Sequence, residues 1–298
     1  MKPTLLKQTI LAAAALGLTL FTSASWSANN FTASYLGAGT MGGSCGYSYR
    51  ISGAEPADTA KHPVFVYMVG TNETYNNASA MAAVNSMAAK GYVAATIEYA
   101  SGAFGTCSDI STKTSCAFNP NSSASAISQL CSRTSADCTK GIVVAGFSQG
   151  SVVATLAKNY DARIQAAFGM GTGVKYSAYD LSSCMANGKR TLTSDRLKVV
   201  NGEGDGFMGG SASGVRSQLQ TLTGLNCGTG AYSCANSNNS GWQMVTHKQV
   251  SDGSAEHCYM RKGGCSINEN SLDSGWQTGT ASWALESNLK WLTTFTQK

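Results

Sequence analysis

The stretch GIVVAGFSQGSVVATLAK, residues 141–158, opens as an apolar run and closes in a helical pattern. Residues 141–147 read as a buried strand, and the pattern from Ser151 onward reads as a helix. Between them Gly146, Phe147, Ser148, Gln149 and Gly150 make a G-x-S-x-G junction. A residue joining strand to helix through so tight a turn takes up a strained backbone, and glycines two positions to either side relieve the crowding. The Ser148 hydroxyl then projects beyond the strand end, and the helix N-terminus faces negative charge developing beside it. The ordinary alternative is a serine that only caps the helix.

The pattern alone says little in a chain with 33 glycines, and it recurs around Ser44 between Gly42 and Gly46. Ser44 is followed by an alternating strand pattern and has no buried strand before it, so Ser148 alone has the strand–turn–helix context. A nucleophilic serine needs a base, and the histidines are His62, His247 and His257. His62 precedes the serine at the mouth of a strand, and His247 reads as mid-strand in MVTHKQV. His257, in SDGSAEHCYM, follows the last strand pattern and fits the order serine, acid, histidine. For the acid, LKVVNGEGDGF places Asp205 just beyond an apolar run in a glycine-rich turn, with Glu203 as runner-up. Asp205 would orient His257 and stabilise its charged form; a turn-forming aspartate is the alternative. The expected oxyanion donors are the backbone N–H groups of Gln149 and Thr71, with Asn72 as alternate to Thr71.

The remaining composition narrows the class. Charged residues are 12% of 298, with Gly, Ser, Thr and Asn in their place. Lys2 and Lys7 flank a short apolar stretch, Ile10 to Phe21, followed by TSASWSA. This reads as a signal peptide over residues 1–28, cleaved between Ala24 and Ala28, with a catalytic domain over 29–298. Removing Lys2 and Lys7 from the net charge of +5 leaves +3, too mild and scattered for nucleic acid. No later segment is long and apolar enough for a membrane span. The expectation is a secreted or periplasmic monomer. N-x-S/T matches at Asn30, Asn72, Asn77, Asn121 and Asn238 are unremarked in so Asn- and Ser-rich a chain, and a glycan at Asn72 would crowd the oxyanion loop.

Ten cysteines behind a signal peptide read as disulfides. If close neighbours pair, the set is Cys107–Cys116, Cys131–Cys138, Cys227–Cys234 and Cys258–Cys265, leaving Cys45–Cys184 as the long-range bridge. There is no C-x-x-C, and histidine is scarce, so no metal is expected.

Along the chain, strand patterns at Gly46–Ser52, His62–Gly70, Tyr92–Ala100, 141–147, 164–174, 197–205 and 241–251 alternate with helical ones. The helices fall at 76–91, 124–132, 151–160, 214–224 and 282–295, and residues 101–123 read mainly as a Ser- and Cys-rich loop. This alternation implies one α/β domain, a mostly parallel sheet with helices on both faces. From about Gly46 onward the chain resembles an α/β-hydrolase: strand–GFSQG–helix, then GEGD, then EHCYM, in the order Ser148, Asp205, His257. The resemblance implies an eight-stranded sheet or a close variant, and carboxylic ester hydrolysis without a cofactor. GFSQG is also similar to the G-Y-S-Q-G of secreted cutinases and acetylxylan esterases, which implies a cutinase-like or polyester-type esterase. The interval from 175 to 196 has little room for a large cap, so a small or polymeric ester could enter. Tyr75, Phe147, Phe207, Met208 and Tyr259 are the candidate substrate-lining residues. The rival functions are an amidase, peptidase or acyltransferase with the same triad, or a non-catalytic binding protein on the same scaffold.

Overall fold

The computed structural model describes residues 28–260 and 273–297. The expected leader lies outside the described residues. In chain order the elements are β1 (Ala28–Gly39), β2 (Gly42–Pro56), β3 (Val64–Met68), α1 (Ala78–Ala88), β4 (Val93–Ile97), α2 (Cys107–Phe118) and α3 (Ala126–Cys131). There follow β5 (Ile142–Phe147), α4 (Gln149–Leu156), β6 (Ile164–Met170), β7 (Lys175–Tyr176), β8 (Tyr179–Asp180) and α5 (Ser182–Met185). The last are β9 (Leu197–Gly202), α6 (Ala212–Thr223), β10 (Ser233–Ala235), β11 (Gly241–Val245), α7 (Ser274–Thr278) and α8 (Leu285–Leu292).

Nine strands form one sheet in the order β1-β2-β4-β3-β5-β6-β9-β11-β10. The run from β4 to β11 is parallel throughout, while β1–β2, β2–β4 and β10–β11 are antiparallel. Every residue of β3, β4 and β5 is buried. That is why they read as unbroken apolar runs: helices cover a parallel sheet on both faces. This is the expected mostly parallel sheet, with nine strands in place of eight and the short strand β10 at the β11 edge. Between β6 and β9 the chain adds only the β7–β8 hairpin, α5 and a short 3-10 turn at Ser194–Arg196, so no large cap is present there.

The structure adds elements that the sequence pattern does not announce. β1 pairs with β2 along almost its whole length, and the chain reverses at Gly42, whose φ of 80° suits glycine. Ser44 therefore lies on β2, far from any strand–helix junction. The expected loop at 101–123 contains α2, opened by a reciprocal cap in which Thr106 and Asp109 bond each other's backbone N–H groups. The expected strand at 241–251 stops at Val245, and residues His247–Gln249 form a 3-10 turn.

Two expected disulfides are replaced. Cys45 bonds Cys116, and Cys107 bonds Cys184, in place of Cys45–Cys184 and Cys107–Cys116. The reason is α2 itself: Cys107 and Cys116 lie nine residues apart in one helix, hence about 13 Å at 1.5 Å per residue, beyond the reach of a disulfide. Cys131–Cys138 and Cys227–Cys234 are the local bridges among the described residues. The Cys258–Cys265 pairing involves Cys265, which lies outside the described residues. Helix α2 is thus tied at one end to the β1–β2 hairpin and at the other to the β6–β9 segment.

Cross-links that close long loops restrict the unfolded chain most. Replacing Cys107 and Cys184, 77 residues apart, by alanine should cost about 4 kcal/mol on chain-entropy grounds, and replacing the seven-residue Cys131–Cys138 pair about 2 kcal/mol. Urea unfolding of the two double variants, with equal loss or the reverse order counting against this ranking, is the check.

Candidate active site

The carboxyl ends of the parallel strands converge, as ligand sites in open α/β sheets do. Thr71 follows β3, Phe104 follows β4, Ser148 ends β5, the β7–β8 hairpin follows β6, and Asp205 follows β9. His257 lies in the chain beyond β11. Thr71, Ser148 and His257 line one cavity of about 330 Å³.

Ser148 has φ 52° and ψ −122°, a backbone that costs a residue with a side chain of order 1–3 kcal/mol. The surroundings hold it there. Its N–H donates to the Met170 carbonyl at 2.8 Å, and its own carbonyl accepts from the Ser151 N–H at 2.9 Å and hydroxyl at 2.5 Å. The flanking glycines serve close approach rather than special dihedrals. A Cβ on Gly146 would sit 2.3 Å from the Gly150 carbonyl oxygen, and one on Gly150 would sit 2.2 Å from that of Met68. The Ser148 side chain makes no cap bond to α4. The capping alternative is therefore not the arrangement found.

Asp205 is completely buried and divides its carboxylate between two tasks. Oδ1 accepts from the Phe207 N–H at 3.0 Å, capping a short turn, while Oδ2 lies 2.7 Å from His257 Nδ1. A buried carboxylate accepts the Nδ1 proton, which leaves the Nε2 lone pair available. Nε2 is buried and has no hydrogen-bond partner among the described residues. The rings of Phe147 and Phe207 pack on the imidazole at 5.0 and 4.7 Å between centroids.

The runners-up occupy supporting positions. Glu203 accepts the His247 N–H at 2.6 Å, and His247 Nδ1 accepts the Ala255 N–H at 3.0 Å, two residues before His257. Together they brace the loop that carries His257. His62 pairs with Asp58 at 2.7 Å at the opposite, amino-terminal end of β3. Of the two alternates expected after β3, Asn72 donates its N–H to the Ser101 carbonyl at 3.3 Å, whereas Thr71 lines the cavity. The Gln149 N–H is the first of α4, and the opening N–H groups of a helix have no partner within it.

No protein-family model matches the chain, and no curated protein matches it. Solved structures do. One is brefeldin A esterase, a bacterial homologue of human hormone-sensitive lipase, at 18% identity and TM-score 0.37, over 52% of this chain and 42% of that one. A hypothetical protein from Pseudomonas aeruginosa is 15% identical at TM-score 0.37, over 63% and 55%. XC6422 from Xanthomonas campestris, titled a member of a/b serine hydrolase without lid, is 14% identical at TM-score 0.43, over 72% and 82%. The chain thus spans about half the length of the first two.

The cavity wall differs from the expected one. Phe147 and Phe207 line it, but Tyr75, Met208 and Tyr259 do not. Tyr75 lies under Arg50 in a separate polar pocket, Met208 is buried, and Tyr259 packs edge-on against Trp276 and Trp283. The rings that join Phe147 and Phe207 are Phe104, Tyr176 and Tyr179, from loops whose meeting only the fold determines.

Beneath Phe104 sits an unexpected cation. Lys113, buried on α2, donates to the carbonyls of Ala103 at 2.6 Å and Phe104 at 3.4 Å, and to Gln149 Oε1 at 3.5 Å. Gln149 Nε2 in turn donates to Ala103 O at 3.0 Å, Ser101 O at 3.4 Å and Thr71 Oγ1 at 3.2 Å. Both side chains fasten the 101–104 loop to the serine's helix. Burial pulls the Lys113 pKa from 10.5 to about 8, opposed by Asp109 one turn earlier.

Below pH 8 Lys113 is charged in both states, and folding bears the whole cost of burying the charge. Between pH 8 and 10.5 the folded protein loses this proton while the unfolded chain keeps it, so its contribution to stability rises with pH. Urea unfolding at pH 7.5 and 9.5 should show wild type gaining stability relative to Lys113→Met; parallel behaviour would contradict this. A Gly150→Ala exchange should cost about 2 kcal/mol or more, since its methyl meets fixed backbone. An unchanged urea midpoint would count against that packing.

Proposed function

We propose that the protein is a serine hydrolase that cleaves carboxylic esters through an acyl-enzyme. The observation that carries this reading is the buried Asp205–His257 pair, whose imidazole presents an unpartnered Nε2 in the same cavity as the strained Ser148.

The chemistry follows from that arrangement. Asp205 fixes the tautomer of His257, so Nε2 is the basic nitrogen. Nε2 takes the Ser148 Oγ proton as Oγ attacks the ester carbonyl. The Thr71 and Gln149 backbone N–H groups donate hydrogen bonds to the carbonyl oxygen and so stabilise the negative charge that develops on it. Collapse breaks the bond to the alcohol, which leaves with the proton from Nε2. Water, deprotonated by the same nitrogen, then attacks the acyl-serine, releases the acid and restores Ser148.

Among the described residues the short β6–β9 segment supplies no large covering domain, which favours bulky or polymeric esters and fits a cutinase-like or polyesterase reading. Four disulfides among the described residues favour an exported protein, extracellular or periplasmic. No helix among those residues is long and apolar enough to cross a membrane.

Hydrolysis of p-nitrophenyl esters from acetate to palmitate tests the reading. Ser148→Ala should abolish turnover, and Asp205→Asn should lower kcat by about 10³–10⁴ by removing the acceptor that sets the tautomer. Undiminished turnover by either folded variant would reject its assigned role. Inactivity of folded wild type on the whole series would reject the ester-hydrolase reading.

A further inference from the structure

The cavity has an unusual wall. Its large apolar side chains are all rings: Phe104, Phe147, Tyr176, Tyr179 and Phe207, with Ala178 as the small remainder. Among the described residues no Leu, Ile, Val or Met lines it, although such residues fill the core nearby. No described Lys, Arg, Asp or Glu lines it either, so the lining suits a neutral substrate.

The rings form two groups. Phe147 and Phe207 lie against His257, the group that protonates the departing alcohol. Phe104, Tyr176 and Tyr179 make a separate cluster: Phe104 lies 4.4 Å from Tyr176, and 5.5 Å from Tyr179 with only 21° between the planes. The cluster is firmly supported. Tyr176 Oη donates to the Gly171 carbonyl at 3.0 Å and accepts from the Gly173 N–H at 3.2 Å. Gln218 Oε1 accepts from the Val174 and Lys175 N–H groups at 3.1 and 2.8 Å. On the Phe104 side, Lys113 donates to the Phe104 carbonyl, and the Cys107–Cys184 bridge ties the start of α2 to α5, just after the β7–β8 hairpin. Tyr179, 38% exposed, keeps ring surface open to an incoming group.

We propose that this cluster is an acyl subsite for an aromatic ring, so that the preferred substrates are neutral esters of aryl-substituted carboxylic acids. The inference rests on the ester-hydrolase reading above. With the alcohol directed to His257, the acyl group turns toward Phe104, Tyr176 and Tyr179, which line the same cavity, and flat rings offset-stack or meet edge to face there. A long flexible chain would find no aliphatic surface to follow.

Ethyl phenylacetate and ethyl cyclohexylacetate separate ring-face recognition from simple apolar burial. Both carry the ring one methylene from the carbonyl, and the cyclohexyl ring is the more hydrophobic of the two. Because the phenyl ester is intrinsically the more reactive, every phenyl-to-cyclohexyl ratio is divided by the ratio of the two hydroxide-hydrolysis rates. Wild type should favour the phenyl ester about tenfold in kcat/KM. Tyr179→Leu and Phe104→Leu, which keep apolar bulk without a ring, should each reduce that ratio to about threefold or less. Thermal melting and Ser148 labelling by a small fluorophosphonate establish that the variants are folded. Equal turnover of the two esters by wild type, or preference for cyclohexyl, overturns the aromatic subsite and leaves the ester-hydrolase reading standing. An undiminished ratio in both folded variants also overturns it. Folded wild type that turns over neither these esters nor ethyl acetate overturns both readings.

Discussion

A backbone at φ 52° and ψ −122° is costly for any residue with a Cβ, and Ser148 persists there because its neighbours leave no alternative. β5 ends and α4 begins with one residue between them. The strand N–H groups and carbonyls are fixed by β3 and β6, so the turn cannot relax sideways. Carbonyl oxygens of Met68 and Val69 approach Gly150 within the space a methyl would need. That approach puts the end of β3, and hence Thr71, beside the start of α4. One crowded crossing therefore sets the serine, both amides beside it and the relative height of two strand ends.

The buried polar groups near that crossing are paired across loops rather than within elements. Asp205 joins its own turn to His257, and Asn201 exchanges two 3.0 Å hydrogen bonds with the Thr172 backbone. Gln149 and Lys113 do the same for the loop after β4. Each such bond is worth about 1 kcal/mol when made, and its loss strands a buried group at greater cost. Loops that would be mobile by length are thus held by side chains from the sheet and its covering helices.

What the sequence makes legible follows from range. Ser148 is legible because its signal is contiguous: an apolar run, two glycines and a helical pattern within eighteen residues. The Asp205 turn is similarly local, and chain order singles out His257 as its partner. Helix α2 is hidden because serine and threonine dominate it and its buried face includes Lys113 and Thr114. The Cys45 and Cys184 partners are hidden for the same reason, since an unrecognised helix conceals that Cys107 and Cys116 point apart. Phe104 stands far in the chain from Tyr176 and Tyr179, and nothing local distinguishes the three from core residues such as Tyr75 or Tyr259.

The chemistry-bearing groups and the cavity wall hang from different supports. Ser148, Asp205 and His257 depend on strand ends and on the glycines and carboxylates around them. Phe104, Tyr176 and Tyr179 belong to two loop segments stitched to each other through α2 and one cross-link. Such a division makes the wall an exchangeable part. Substitutions in the loops after β4 and β6 would trade rings for aliphatic or polar groups while leaving the placement of Ser148, Asp205 and His257 intact.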